Sequence, residues 1–386
     1  MRTTAFLYPW DVIGDPDAPV RLARLGLDGV TLASAYHSTR ALTPRHPVTR
    51  IVTAPSSAVY YPPAPGRWEG KALRPYPQDW MAVADAWGEA ASMLRDAGLD
   101  VASWVVLAHN SRLGGENPDS SVRNAYGDRY PWALCVARPE VVAYCVALAA
   151  EAGARPGASG VDLESCGWYG MAHLHAHDKI GGVPLDGAAQ YLMSLCFCDV
   201  CRAGYAAAGV ADLDAAVRAA LEPVWAGRWR PEHDEWAGVR KLLGPDLAEF
   251  SLGYRNGRAR VLQAACVAAV RSEAPGLRVM LHADPASHRV GSNAGVEAEW
   301  LLTEGGADGL VLPCTGSTEA LDAAPRIPGR TLAANLTVVG GMGGDPSAGV
   351  PAGADELRLY HAGLASDRDL SRLRLPPRAP GARPGH

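Results

Sequence analysis

Short apolar runs alternate with longer amphipathic stretches along nearly the whole chain. Eight runs bounded by turn residues read as strands: Thr4–Tyr8, Gly29–Ala33, Val101–Leu107, Gly160–Glu164, Arg278–His282, Gly309–Leu312, Thr331–Leu336 and Leu357–Tyr360. Between them lie helical patterns. In 79–97, Trp80, Val83, Trp87, Ala91 and Leu94 recur at helical spacing and Gly98 supplies the stop. The stretches 139–152, 246–273 and 296–304 follow the same rule. Regular β/α alternation favours a parallel sheet, and about eight units favour a closed barrel over a doubly wound open sheet. The pattern predicts an α/β fold, a (β/α)8 TIM barrel, forming one domain over 1–374.

Segment lengths sharpen the picture. The stretches after strand two (34–78), strand three (108–138) and strand four (165–244) are long. All three lie on the βα side, where barrel enzymes build their sites. The last is read as a Cys-containing insertion, and the Pro/Gly/Arg-rich tail 375–386 as disordered.

Composition adds exclusions. With 48% hydrophobic and 20% charged residues the chain can bury a large core. Its net charge of -5 comes from interspersed signs, so no basic stripe suits nucleic acid. The opening residues lack a signal-peptide pattern, and no run reaches the ~20 apolar residues of a membrane helix. A cytoplasmic protein with no membrane partner is expected, its 8 Cys serving as thiols or metal ligands. The pattern leaves room for a homo-oligomer. The 11 Trp and 13 Tyr against 3 Phe favour rings with a polar tip, which suit sugar-stacking platforms.

Strand alternation aims the candidate chemistry. In Ser159-Gly-Val-Asp-Leu-Glu164, Asp162 and Glu164 share one face and Val161 and Leu163 the other. The apolar pair should meet the helices, leaving Glu164 at the rim of the barrel interior and Asp162 one layer deeper. Strand five places Met280, His282 and Asp284 on one face, so Asp284 reaches the same rim, unless it serves only as an Asp–Pro turn residue. Two carboxylates flanking a cavity are the minimum equipment for cleaving a glycosidic bond. Further polar and aromatic residues fall at strand ends: Tyr8, Trp10 and Asp11, then Tyr36, His37 and Arg40, then His109 and Asn110, with Trp168, Asn335, Tyr360 and His361. Such a set could bind a carbohydrate or glycoside. His173, His175 and His177 are read as lining the pocket, with metal ligation as the alternative. No organic cofactor motif is evident.

The sharpest local signal is Cys196-Phe-Cys198-Asp-Val-Cys201. Three thiols at this spacing suggest one tetrahedral metal centre, a fourth ligand coming from Cys135, Cys166 or a His. A closed four-thiolate zinc would be structural.

Three segments together, Ala133-Leu-Cys135 through Tyr144, Asp162-Leu-Glu164, and Cys196 through Tyr205, resemble the zinc-containing bacterial β-galactosidases (glycoside hydrolase family 42) and uncharacterised glycosidase-like barrel proteins. The resemblance spans roughly 130–206. It implies a structural zinc held by Cys135, Cys196, Cys198 and Cys201, with Glu164 as general acid/base. Two departures stand out: Leu163 occupies the family's Asn position, and strand seven, Thr331 to Leu336, carries Asn335 but no carboxylate nucleophile. The expected activity is that of a glycosidase using Glu164 with Asp284 or Asp162. A lyase or isomerase acting on a sugar-like substrate, and a degenerate carbohydrate-binding barrel, are the alternatives.

Overall fold

The computed structural model describes residues 1–171, 178–291 and 293–376. Eight parallel strands pair in sequence around a closed ring: β1 (Arg2–Leu7), β2 (Gly29–Tyr36), β3 (Asp100–Val106), β4 (Gly160–Glu164), β5 (Arg278–His282), β6 (Gly309–Pro313), β7 (Thr331–Thr337) and β8 (Glu356–Tyr360). β8 returns to pair with β1, and β1 with β2, so no barrel strand is left as an edge. Helices follow most strands: α1 (Ala18–Arg24), α2 (Ala86–Asp96), α3 (Pro139–Gly153), α4 (Pro245–Glu273), α5 (Ala298–Thr303), α6 (Glu319–Ala323) and α7 (Asp367–Ser371). After β7 a 3-10 turn, Gly340–Met342, stands where a helix would. The fold is the expected TIM barrel.

The strands form where apolar residues alternate with something the interior can use. Val161, Leu163, Val279, Leu281, Leu310, Leu312, Leu357 and Leu359 are all buried on the outward face, under the helices. Burying each contributes on the order of 1.5–3 kcal/mol. The alternate residues point inward.

The predicted helix at 79–97 begins only at Ala86. Upstream, Gln78 donates to the Val83 carbonyl at 2.7 Å and accepts from the Met81 amide at 2.8 Å. Those bonds fix a turn that competes with helix, and Asp85 then caps the Gly88 amide at 2.9 Å.

The βα side carries the elaborations. After β2 come an antiparallel hairpin, Thr39–Leu42 with Ile51–Ala54, and a short strand, Ala58–Val59, antiparallel to β2. After β3 come helix Ser111–Glu116 and the hairpin Ser121–Arg123 with Arg129–Leu134. Helices Gly187–Met193, Asp199–Ala207, Leu213–Trp225 and Glu235–Leu243 fill the insertion after β4. α4 has 29 residues, so it runs about 44 Å. Its C-terminal half packs on α3 and its N-terminal part packs over the insertion, where Tyr254 meets Tyr205. Among the described residues no helix is long and apolar enough to cross a membrane.

Candidate active site

Registration across the barrel decides which side chains meet. Paired residues of parallel neighbours share a face, so Asp162 aligns with Trp104 and Met280, and Glu164 with Val106. The same rule turns Thr4, Phe6, Thr31, Arg358 and Tyr360 inward. Two layers result.

The deeper layer is polar and tied together by ion pairs and hydrogen bonds. Arg358 Nη1 lies 3.3 Å from Asp162 Oδ2 and donates to Thr4 Oγ1 and Thr31 Oγ1, each at 2.9 Å. Glu356 bridges Arg358 to Arg278. Burial pushes the Asp162 carboxyl up and the Arg358 guanidinium pulls it back, the net direction being upward. Asp162 is thus paired with Arg358 one layer below the rim.

The upper layer is aromatic. Tyr8, Tyr36, Trp104, Tyr360 and His361 contact one another in a ring, with centroid separations of 4.9 Å (Tyr8–Tyr36), 4.7 Å (Tyr36–Trp104), 5.7 Å (Trp104–Tyr360), 3.8 Å (Tyr360–His361) and 6.0 Å (His361–Tyr8). Tyr8 Oη lies 3.0 Å from His361 Nδ1. The contacts continue from Tyr36 to His37, His109 and Tyr169 at 4.1, 4.9 and 5.0 Å. Trp10 stacks behind Tyr8 at 4.5 Å.

Glu164 stands in this layer, 6% exposed. Its Oε2 accepts from Trp104 Nε1 at 2.7 Å, and His282 Nδ1 lies 4.0 Å from the same oxygen. Burial lifts its carboxyl to about 7, opposed by the Trp104 N–H. Its charge in turn raises the hydroxyls of Tyr36, Tyr169 and Tyr360, on top of their own burial. Burial also lowers His282 and His361 to about 3, leaving both rings neutral at ordinary pH. The result is a protonatable carboxyl, that of Glu164, among phenols, indoles and neutral imidazoles.

The other expected residues take varied positions. Asp284 sits at the end of β5, where its carboxylate accepts from the Ala286 amide at 3.0 Å and lies 3.6 Å from Arg289 Nη1. Asn335 faces inward from β7 in register with Arg358, its Oδ1 buried without a hydrogen-bond partner. Asp11 lies beneath the first turn, accepting from the Tyr8 amide at 2.9 Å; burial raises it to about 7. Asn110 caps helix Ser111–Glu116 by accepting from the Leu113 amide. Trp168 is buried beside α4, donating to the Arg255 carbonyl at 2.7 Å. Arg40 is exposed on the hairpin after β2. His173, His175 and His177, and the tail from 377 onward, lie outside the described residues.

Sequence reasoning missed Trp104 and Arg358. Alternation could have found the first: Trp104 shares a face with Ala102 and Val106, as Glu164 does with Asp162. Arg358 reads as a surface cation until its inward register is known.

The second site is the cysteine cluster. The sulfurs of Cys135, Cys196, Cys198 and Cys201 all lie within 4.8 Å of one another, with Cys135 3.8 Å from Cys198 and 3.6 Å from Cys201. Four sulfurs about 2.3 Å from a tetrahedral ion stand about 3.8 Å apart, so the set fits such an ion. Cys135 arrives from the hairpin after β3, Cys196 from the turn before helix Asp199–Ala207, and Cys198 caps that helix. The buried cluster could hold a metal ion, joining the insertion to the β3 side of the barrel.

No protein-family model matches the chain, and no curated protein matches it in sequence. Solved structures do. The α-L-fucosidase isoenzyme 2 of Paenibacillus thiaminolyticus superposes with a TM-score of 0.53 at 14% identity, over 96% of this chain and 47% of that one. The chain thus spans under half the fucosidase's length. The catalytic domain of β-amylase from Paenibacillus polymyxa gives 0.54 at 11% identity, over 96% of each chain. The PgaB (BpsB) glycoside hydrolase domain from Bordetella bronchiseptica gives 0.54 at 13% identity, also over 96% of each. The structural neighbours are TIM-barrel glycoside hydrolases, and at these identities the likeness is one of fold.

Proposed function

We propose that this barrel is a glycoside-hydrolase-like enzyme acting on a small soluble glycoside, with Glu164 as its general acid. The observation that carries the reading is the Glu164 carboxyl itself. It is aimed inward from β4, buried among aromatic rings and raised to about 7. A carboxyl in that state holds a proton near neutral pH and can deliver it to a departing glycosidic oxygen as the C–O bond breaks. Tyr8, Tyr36, His37, His109 and Tyr360 supply hydroxyls, ring nitrogens and flat faces for a sugar ring. Asp284 is the candidate base or nucleophile: it would take a proton from attacking water, or attack the anomeric carbon directly. The cysteine cluster is read as a structural zinc site, clamping the insertion and taking no part in bond cleavage.

A second reading has its own support. Asp284 is already engaged by Ala286 and Arg289, and Asp162 by Arg358. A barrel whose rim carries one uncommitted carboxyl suits a carbohydrate-binding protein that has lost turnover. A panel of aryl glycosides separates the two. Hydrolysis of at least one member supports the enzyme, whereas sugar binding without release of any aryl alcohol supports the binding protein.

A further inference from the structure

Among the described residues two that are not glycine have a left-handed backbone, Ser165 at φ 62° and His361 at φ 60°. Each stands directly after the last residue of a barrel strand, Ser165 after Glu164 on β4 and His361 after Tyr360 on β8. A bulky side chain seldom adopts that conformation, which persists only where the surroundings over-determine it. At His361 those surroundings can be named.

The buried ring is held on two sides. Tyr8 Oη lies 3.0 Å from its Nδ1, and Tyr360 packs on it with centroids 3.8 Å apart. The backbone continues into a 3-10 turn, Ala362–Leu364, with Ala365 as its C-cap. Arg45, in the loop of the hairpin after β2, donates from Nη2 to the Ala362 carbonyl at 2.9 Å and from Nε to the Ala365 carbonyl at 3.0 Å. One planar guanidinium thus spans the turn from end to end, which a single ammonium does not do.

The loop that delivers Arg45 is itself tied down. His46 Nδ1 accepts from the Thr49 amide at 2.8 Å, and His46 Nε2 lies 3.0 Å from the Ile13 carbonyl. On the β1 side, the Asp11 carboxyl packs on Gly363 so closely that a Cβ there would meet Asp11 Oδ2 at 1.8 Å. The same oxygen accepts from the Tyr8 amide at 2.9 Å. The ends of β1 and β8 are therefore joined through Tyr8 with His361 and through Asp11 with Gly363, and Arg45 adds a tie from the β2 hairpin.

We propose that Arg45 is a positioning residue of the candidate active site: by binding both carbonyls it fixes the turn after β8, holds His361 in its left-handed conformation and keeps the imidazole on the Tyr8 hydroxyl. The inference rests on the reading of this rim as a sugar site. Through His361, Arg45 governs the orientation of the Tyr8 hydroxyl, one of the groups offered to the sugar ring.

The test uses full-length protein carrying isotopically labelled histidine for nitrogen NMR, the His361 ring resonances being assigned by their absence in His361→Gln. Tyr8→Phe calibrates the measurement, giving the displacement of the Nδ1 resonance when the hydrogen bond is lost. Arg45→Met keeps the stem of the side chain and removes both carbonyl bonds. It should move the Nδ1 resonance in the same direction and by a comparable amount while the protein stays folded. A resonance left at its wild-type position in folded Arg45→Met overturns the proposal, as does one that Tyr8→Phe fails to move. Should Arg45→Met not fold, Arg45→Lys decides by the same measurement, because Lys keeps the charge without spanning both carbonyls. Activity supplies a second arm. On an aryl glycoside that the wild type hydrolyses, Arg45→Met and His361→Gln should each lower kcat/KM about 10–100-fold, and the double variant no further than the worse single one. Fully additive losses would mean that Arg45 does not act through His361, which overturns the proposal. Absence of any hydrolysis by the wild type removes the enzyme reading alone, and the resonance still decides this inference.

Discussion

Asp162 and Glu164 lie on the same strand, on the same face, two residues apart, and both are almost completely buried. Their surroundings divide them. Asp162 meets a guanidinium and a Thr hydroxyl, so its charge is matched within the barrel. Glu164 meets one indole N–H and a neutral imidazole, and its charge is opposed by burial with little return. The lower layer spends its polar groups on cohesion and the upper layer keeps one in reserve. Two carboxylates of the same strand can thus differ in role through a single inward-facing arginine.

The comparison breaks most visibly at Glu164. Glu164→Gln keeps the shape and deletes the proton donor, so turnover of a glycoside with a poor leaving group should fall ~10²–10⁴-fold while folding persists. Activated aryl glycosides should lose less in acid-assisted steps. Full retained activity on the poor leaving group would end the acid assignment. The pH dependence of stability gives the same substitution a second readout. The folded state keeps the Glu164 proton up to about pH 7, while the unfolded chain releases it near the ordinary value of 4.5. Between those values the unfolded state binds fewer protons, so this group's contribution to stability declines as pH rises and levels off above about 7. Glu164→Gln should flatten that decline in denaturant titrations.

At Asp162 the loss should appear in stability. Asp162→Asn leaves Arg358 without its full counter-charge, and breaking a buried pair typically costs about 3–5 kcal/mol. A lowered denaturation midpoint is expected even without substrate. An unchanged midpoint with abolished turnover would move Asp162 into the catalytic group and collapse the contrast between layers. The smallest effect concerns Trp104. Trp104→Phe removes the N–H that favours ionised Glu164, so the alkaline limb of kcat/KM should move up by about one pH unit. A downward shift would mean that the indole stabilises the protonated form.

Much of this arrangement is legible in the sequence. Val-Asp-Leu-Glu alternation places both carboxylates, and the strand predictions agree with the observed ends to within a few residues. Tyr36 shows where simple alternation stops. Counting from Gly29, Thr31 and Ala33 would send Tyr36 outward, but the register of β2 against β3 shifts between Ala33 and Ala35. Ser34 Oγ donates to the Trp104 carbonyl at 3.0 Å and accepts from Ser103 Oγ at 2.8 Å. That irregularity turns Tyr36 into the aromatic ring. It depends on a neighbouring strand some 70 residues away, so no local pattern announces it. Arg358 follows the rule that places Asp162: in Leu357-Arg-Leu359 the apolar pair meets the helices and leaves the arginine inward, in register with Thr4 and Asn335. Of the three sources weighed for the fourth thiol ligand, geometry brings Cys135 to the cluster, as the resemblance implied.

The length of α4 bears on how this architecture can be edited. One half of that helix is barrel wall and the other half is core for the insertion, with no break in its hydrogen-bonded rod. The insertion is therefore not a detachable module. Splicing residue 165 directly to 244 would keep a barrel helix whose outer half exposes Phe250, Tyr254 and an uncovered Arg255. Trimming the helix as well would remove the carbonyl that anchors Trp168. Recombination at this junction is closed off, and sequence change in the insertion is channelled into residue-by-residue substitution around a fixed rod.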